Sequence, residues 1–215
     1  MKKLVIFDLD GTLLNTIADL ATATNHALSI YGYPKHDIES YKFFVGNGIN
    51  KLFERALPKE KRTEENVLKI RSEFIPYYNK HNNDLSKPYD GMPELLEKLQ
   101  AMGIKLAIAS NKYQEATDKL VEFYFPNIKF TQVLGQREGV PSKPHPSIIN
   151  EIIEKADVER EETLYVGDSN VDMETAKNAN VEVVGVAWGF RPRTELEAHN
   201  PVAVIEKAEE ILPLI

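Results

Sequence analysis

Short runs rich in β-branched residues recur along this chain at residues 4–7, 104–109, 132–134, 164–166 and 181–187, with a weaker one at 202–205. Most are separated by segments whose apolar residues fall at helical spacing, such as Leu95, Leu96, Leu99 and Met102, or Ile148, Ile149, Ile152 and Ile153. Strand and helix alternating in this way demand a parallel sheet with helices on both faces, because each crossover must return over the sheet. The expected fold class is therefore α/β, with a parallel-sheet core. The rhythm breaks once. Residues 15–86 offer long helical patterns at 17–30, 47–57 and 64–78 and no convincing strand. That interval reads as a helical bundle inserted after the first strand, which leaves 1–14 and 87–215 as the core.

Composition sets the limits on partners. At about 150 residues per domain, 215 residues allow one core carrying a substantial insertion. With 42% apolar and 27% charged residues, the chain falls among globular proteins rather than disordered or fibrous ones. The absence of cysteine removes disulfides, thiolate zinc sites and cysteine nucleophiles together. A net charge of -7 opposes attraction to nucleic acid or to an anionic membrane surface. The basic, apolar start MKKLVIF is interrupted at once by Asp8 and Asp10, and no apolar run nears the roughly 18 residues of a membrane span. A cytoplasmic protein acting on a small molecule is expected, with no nucleic acid or membrane partner. Monomer and homodimer both remain open.

Four features carry chemistry. Asp8 and Asp10 close the first strand run, just before the turn at Gly11-Thr12, and strand ends of an open parallel sheet are where ligands bind. Asp168 and Asp172 follow another strand in LYVGDSNVD. If the two strands are neighbours, three or four carboxylates meet, a costly arrangement unless a cation lies among them. A hard divalent ion with oxygen ligands fits, and Mg²⁺ is the usual choice beside a phosphate. Ser110 and Asn111 end a third strand run, where hydroxyl, amide and backbone N–H groups can either hold an anionic oxygen or cap the next helix. Lys143 lies in VPSKPHP, whose prolines restrict the backbone around its ammonium. Together these groups suit phosphoryl transfer: a carboxylate nucleophile, a neighbouring acid for the leaving oxygen, and cations to offset charge.

In their order DLDGT, SN, the lysine of SKPHP and GDSNVD, these motifs resemble those of the haloacid dehalogenase-like phosphohydrolases. The resemblance implies a doubly wound, Rossmann-like core with a helical, C1-type cap after the first motif. It also implies that Asp8 is the nucleophile and Asp10 the general acid and base, with Lys143 assisting catalysis. Gly11, Ser110, Asn111 and Lys143 would then surround the phosphoryl group. Asp8, the main-chain carbonyl of Asp10, and Asp168 would hold Mg²⁺, with Asp172 orienting Lys143 or the metal shell. Dehalogenases of the family lack the second acid, so Asp10 points to phosphoryl chemistry.

Within the family the likeness runs toward phosphoglycolate phosphatases, through SNK, GDS and the cap stretch VGNGINKLFERAL. There Gly46, Asn47 and Gly48 would close over a small anionic substrate, and Arg55 would pair with its carboxylate. The resulting expectation is a Mg²⁺-dependent phosphatase acting on a small phosphorylated metabolite, 2-phosphoglycolate foremost. Two other readings are open. A β-phosphoglucomutase-like sugar phosphomutase would share the phosphorylated aspartate, but those relatives have Glu-Asp-Ser where this chain has Gly167-Asp168-Ser169. A receiver-like phosphoacceptor module would cluster acids and a lysine, without need of Asp10 or of the insertion.

Overall fold

A computed structural model describes residues 1–215. In chain order the strands are β1 (Leu4–Phe7), β2 (Leu14–Asn15), β3 (Lys87–Pro88), β4 (Lys105–Tyr113), β5 (Phe130–Gln136), β6 (Thr163–Gly167), β7 (Glu182–Val186) and β8 (Ala203–Ile205). Six of them form one parallel sheet in the order β5-β4-β1-β6-β7-β8. The chain leaves β1 toward β4 and leaves β6 toward β7. The crevice between β1 and β6 is thus the point at which the winding reverses, where doubly wound sheets bind ligands.

The alternation of side chains along a strand supplies two cores. Val5, Phe7, Leu106, Ile108 and Val166 face one side and pack against α5 (Met92–Ala101) and α6 (Gln114–Tyr124). Leu4, Ile6, Ala107 and Tyr165 face the other, under α7 (Ser147–Ala156), α8 (Asn170–Ala179) and α9 (Arg193–Glu197). With both faces covered, the strand interiors read as continuous apolar runs, which is why they were legible.

A third cluster belongs to α1 (Ile17–Ile30), α2 (Ile38–Phe44), α3 (Ile49–Ala56) and α4 (Glu64–His81), centred on Leu28, Tyr41, Phe53, Ile70 and Phe74. It reaches the sheet unit at Ala116 and Phe190. The spacing anticipates three of these helices but not α2, whose seven residues carry only one fully buried apolar side chain, Tyr41. The helix anticipated from 47 starts at Ile49, because Gly46 and Gly48 take positive φ values of 114° and 82° and keep the preceding segment a loop. Two further differences lie at the joints. β2 and β3 pair antiparallel where the chain leaves and re-enters the sheet unit, forming a ribbon too short to show periodicity. β4 runs on to Tyr113, so Ser110 and Asn111 are strand residues and not a helix cap.

Candidate active site

Strand register alone gathers the acids. Phe7 sits opposite Val166 of β6 and Ile108 of β4, so the next residues along, Asp8, Gly167 and Ala109, lie side by side at the sheet's C-terminal edge. Asp8 N donates to Val166 O at 2.9 Å. Carboxylate oxygens of Asp8, Asp168 and Asp172 fall within 4.8 Å of one another, all buried.

Lys143 reaches into this group. Its Nζ donates to Asp172 Oδ1 at 2.7 Å, Asp8 Oδ1 at 2.9 Å, the Tyr165 hydroxyl oxygen at 2.9 Å and Ala109 O at 3.0 Å. Burial works against the ammonium, but Asp172 and Asp8 outweigh it and hold Lys143 well above the ordinary lysine range. Asp172 also accepts from Ser169 N and Oγ at the start of α8 and from the Tyr165 hydroxyl. Burial would raise its pKa; Lys143, Ser169 and Tyr165 together pull it below the usual carboxylate value.

The other two acids go the opposite way. Burial, with Asp172 and Asp10 adding repulsion against the pull of Lys143, pushes Asp8 up to about 7. Asp168 rises well above its ordinary value through burial, Asp172 and Asp8, despite an N–H bond from Phe190 at 2.6 Å. An all-oxygen donor set whose charge one lysine does not balance fits a hard divalent cation. The wall behind Asp168 is glycine on both sides. A Cβ on Gly11 would lie 2.3 Å from Asp168 Oδ2, and one on Gly189 would lie 2.2 Å from Asp168 Cβ.

Asp10 is held separately, accepting from Thr16 Oγ1 at 2.7 Å and pairing with Lys112 Nζ at 3.0 Å. Lys112 in turn donates to the Tyr78 hydroxyl of α4 at 2.8 Å. Ser110 lines the same cavity, its Oγ accepting from Lys112 N at 3.2 Å.

Not every anticipated residue reaches the cavity in the anticipated way. Asn111 lines it, but its amide is occupied in bracing loops: Oδ1 accepts from Lys143 N, and Nδ2 donates to Lys143 O and to Gly46 O. It aims the lysine loop and ties down residues 45–48. Gly11 does not offer its N–H, which donates to Leu14 O at 2.8 Å; its role is to let Asp168 approach. Gly46 and Gly48 do line the cavity. Asn47 and Arg55 do not. Arg55 donates through Nη1 to Phe43 O and Phe44 O and through Nη2 to Asn47 Oδ1, so it shapes the loop from behind.

The sequence reading passed over Lys112 as a site residue, along with Gly189, Phe190 and Arg191. The last three follow β7, a run correctly read as a strand but one with no acid at its end to attract notice. Its position in a parallel sheet was the available signal, since loops at the same sheet edge share one crevice.

Buried acids, a lysine and a hydroxyl, brought together at the switch point of a doubly wound sheet by β4, by the segments after β1 and β6 and by the loop that carries Lys143, define the class as a catalytic α/β protein. The chain belongs to the haloacid dehalogenase-like hydrolases, whose family model matches residues 5–186. It is similar to a phosphoglycolate phosphatase of Vibrio parahaemolyticus, 34% identical over 99% of this chain and 96% of that one. A phosphoglycolate phosphatase of Haemophilus influenzae is 32% identical over 99% of this chain and 98% of its own length. Among solved structures, a protein of Lactobacillus delbrueckii subsp. bulgaricus superposes with a TM-score of 0.94 at 33% identity, covering 100% of this chain and 99% of that one. A predicted phosphoglycolate phosphatase of Haemophilus somnus gives 0.92 at 29% identity, covering 99% and 97%. No helix is long and apolar enough to cross a membrane.

Proposed function

We propose that this chain is a Mg²⁺-dependent phosphatase that hydrolyses a small phosphomonoester through a phosphorylated Asp8, with 2-phosphoglycolate the first candidate. The observation that carries the reading is the buried pairing of Asp8 with Lys143 beside the separately held Asp10. Asp8, the main-chain carbonyl of Asp10, and Asp168 would hold Mg²⁺. When bound, the ion offsets negative charge on the carboxylates and the transferring phosphoryl group.

Lys143 and the Ser110 hydroxyl hold the phosphoryl oxygens, and Lys143 occupies only one oxygen of Asp8. The other attacks phosphorus, the bond to the ester oxygen breaks, and Asp10 gives that oxygen its proton. Asp10, now a carboxylate, takes a proton from water. The resulting nucleophile attacks phosphorus and breaks its bond to Asp8, which leaves as a carboxylate while inorganic phosphate forms. Thr16 and Lys112 keep Asp10 in place for both steps.

Two features favour hydrolysis of a short ester over sugar phosphomutase chemistry. The cavity lies beneath a helical unit we take to be the specificity cap formed by residues 15–86, and the side chains Leu20, Val45, Ile49 and Leu52 that this unit presents to it are apolar, with no partner for sugar hydroxyls. A Cβ at Gly167 would lie 2.3 Å from Asp172 Cβ, which leaves no space for the glutamate of the mutase motif. Phosphate release from a panel of small phosphomonoesters, with and without Mg²⁺, tests the reading. Release should require Mg²⁺, and Asp8→Asn should lower it by at least about 1,000-fold because an amide is a very poor nucleophile. Retention of more than a few percent of activity in that variant would refute the mechanism.

A further inference from the structure

We propose that Arg191 receives a second anionic group of the substrate and so restricts the enzyme to phosphomonoesters of short hydroxy-carboxylates. This rests on the phosphatase reading above and adds to it the residue that reads the leaving group.

Three cationic side chains line the cavity: Lys112, Lys143 and Arg191. The two lysines are committed to the acids, Lys143 to Asp8 and Asp172, Lys112 to Asp10. Arg191 is 8% exposed, yet its one carboxylate partner, Glu195, stands 3.4 Å away and is itself 32% exposed. It also donates from Nη2 to Val45 O at 2.9 Å, lies 5.5 Å from the ring centroid of Phe43, and is near enough to Asp168 to pull against that acid's upward shift, without pairing with it directly. A nearly buried guanidinium with so loose a counter-ion carries a desolvation cost that an anionic ligand would offset.

The rest of that wall narrows the ligand. Where the cavity turns from the acids toward the helical unit, it is lined by Leu20, Val45, Ile49 and Leu52, by Gly46 and Gly48, and by Phe190. None of these side chains can hydrogen-bond the hydroxyls of a sugar. With the phosphoryl group against Ser110 and Lys143, the far end of the ester meets a small apolar sleeve and one guanidinium. A carboxylate on a one- or two-carbon spacer matches both, since the planar fork of arginine takes a carboxylate in two parallel bonds. Arg55, the other candidate for this task, lies outside the cavity with its guanidinium on the carbonyls of Phe43 and Phe44.

The test compares kcat/KM for 2-phosphoglycolate and for 2-hydroxyethyl phosphate, its analogue without the carboxylate, in the wild type and in Arg191→Gln, Arg191→Lys and Arg55→Gln, all with Mg²⁺. The wild type should prefer the carboxylate ester. Arg191→Gln should shrink that preference by about 10- to 100-fold, chiefly through KM, the loss expected for a charge-assisted bond pair. Arg191→Lys, which keeps the charge and the stem but not the fork, should fall between, and Arg55→Gln should leave the preference intact. If Arg191→Gln weakens both esters alike, Arg191 only holds the Val45 loop and the inference is wrong. A wild type without preference would equally overturn it while leaving the phosphatase reading in place. Release of phosphate from neither ester would instead remove the phosphatase reading, and the inference with it.

Discussion

The position of Asp168 is set by residues with no side chain at all. Gly11 and Gly189 close on it from two loops, and Phe190 N–H fixes one of its oxygens. In Gly189→Ala the new methyl would lie 2.2 Å from Asp168 Cβ and 2.6 Å from Gly11 O, a backbone atom that cannot swing aside. The carboxylate must therefore shift by a substantial fraction of an ångström. Activity should drop on the order of 100-fold, the scale of an ångström's misplacement at a reacting centre, and half-maximal rate should need more Mg²⁺. An unchanged Mg²⁺ titration in Gly189→Ala would show that Asp168 is not a metal ligand. Asp8, Asp10, Lys143 and Asp168, which line one cavity, stood out as candidates by their types and places in the chain. Gly189 was not, because a glycine's use depends on which neighbour crowds it, and that neighbour is 21 positions away in the chain.

At the level of elements, the joint between the helical unit and the sheet is fastened by one buried acid. Asp19, in the first turn of α1, accepts from Leu85 N, from Ser86 N at 2.8 Å and from Ser86 Oγ at 2.6 Å. The outgoing and returning segments, already paired as β2 and β3, are thereby clasped side by side. Asp19→Ala would leave these donors without an acceptor at a cost of about 3 kcal/mol, lowering Tm by about 6–12 °C in a chain of this size. Ser86→Ala, which removes a single donor, should cost about 1 kcal/mol. Thermal unfolding checks both, and equal melting of Asp19→Ala and wild type would mean the clasp contributes nothing. Helices α1, α3 and α4 were visible as 3.6-residue periodicity, whereas the clasp was not. Asp19 reads in sequence as an ordinary acid favouring the positive end of a helix, and only the fold brings Leu85 and Ser86 to it.

For the whole molecule, the charge balance of the site links stability to pH and to metal. Asp8, pushed from 3.8 to about 7 mainly by burial, holds a proton in the folded chain between those limits that the unfolded chain has lost. Its contribution is therefore fully present below about pH 4 and is lost as pH rises toward 7, and the raised Asp168 acts in the same direction. Asp172, shifted down, stabilises the fold above its unfolded value and loses that effect only in stronger acid, outside this window. If these carboxylates hold Mg²⁺ as proposed, the ion takes them ionised, so the rise in Tm that it produces should grow from about pH 5 to about pH 8. Melting curves with and without Mg²⁺ across that range measure this, and a shift independent of pH would contradict the assignment of the acids as its site.

The sequence by itself determined the α/β class, the helical stretch that follows the first strand, and the acids, serine and lysine that meet at the cavity. These follow from periodicity and from the position of a residue relative to its own strand, both local properties of the chain. Tertiary structure alone decided that Arg191 and not Arg55 faces the cavity, that Asn111 braces loops, and that Lys112 holds Asp10. Each of those outcomes depends on which distant backbone carbonyl or carboxylate comes within about 3 Å of a long side chain, and that is set only once the helices and sheet have packed.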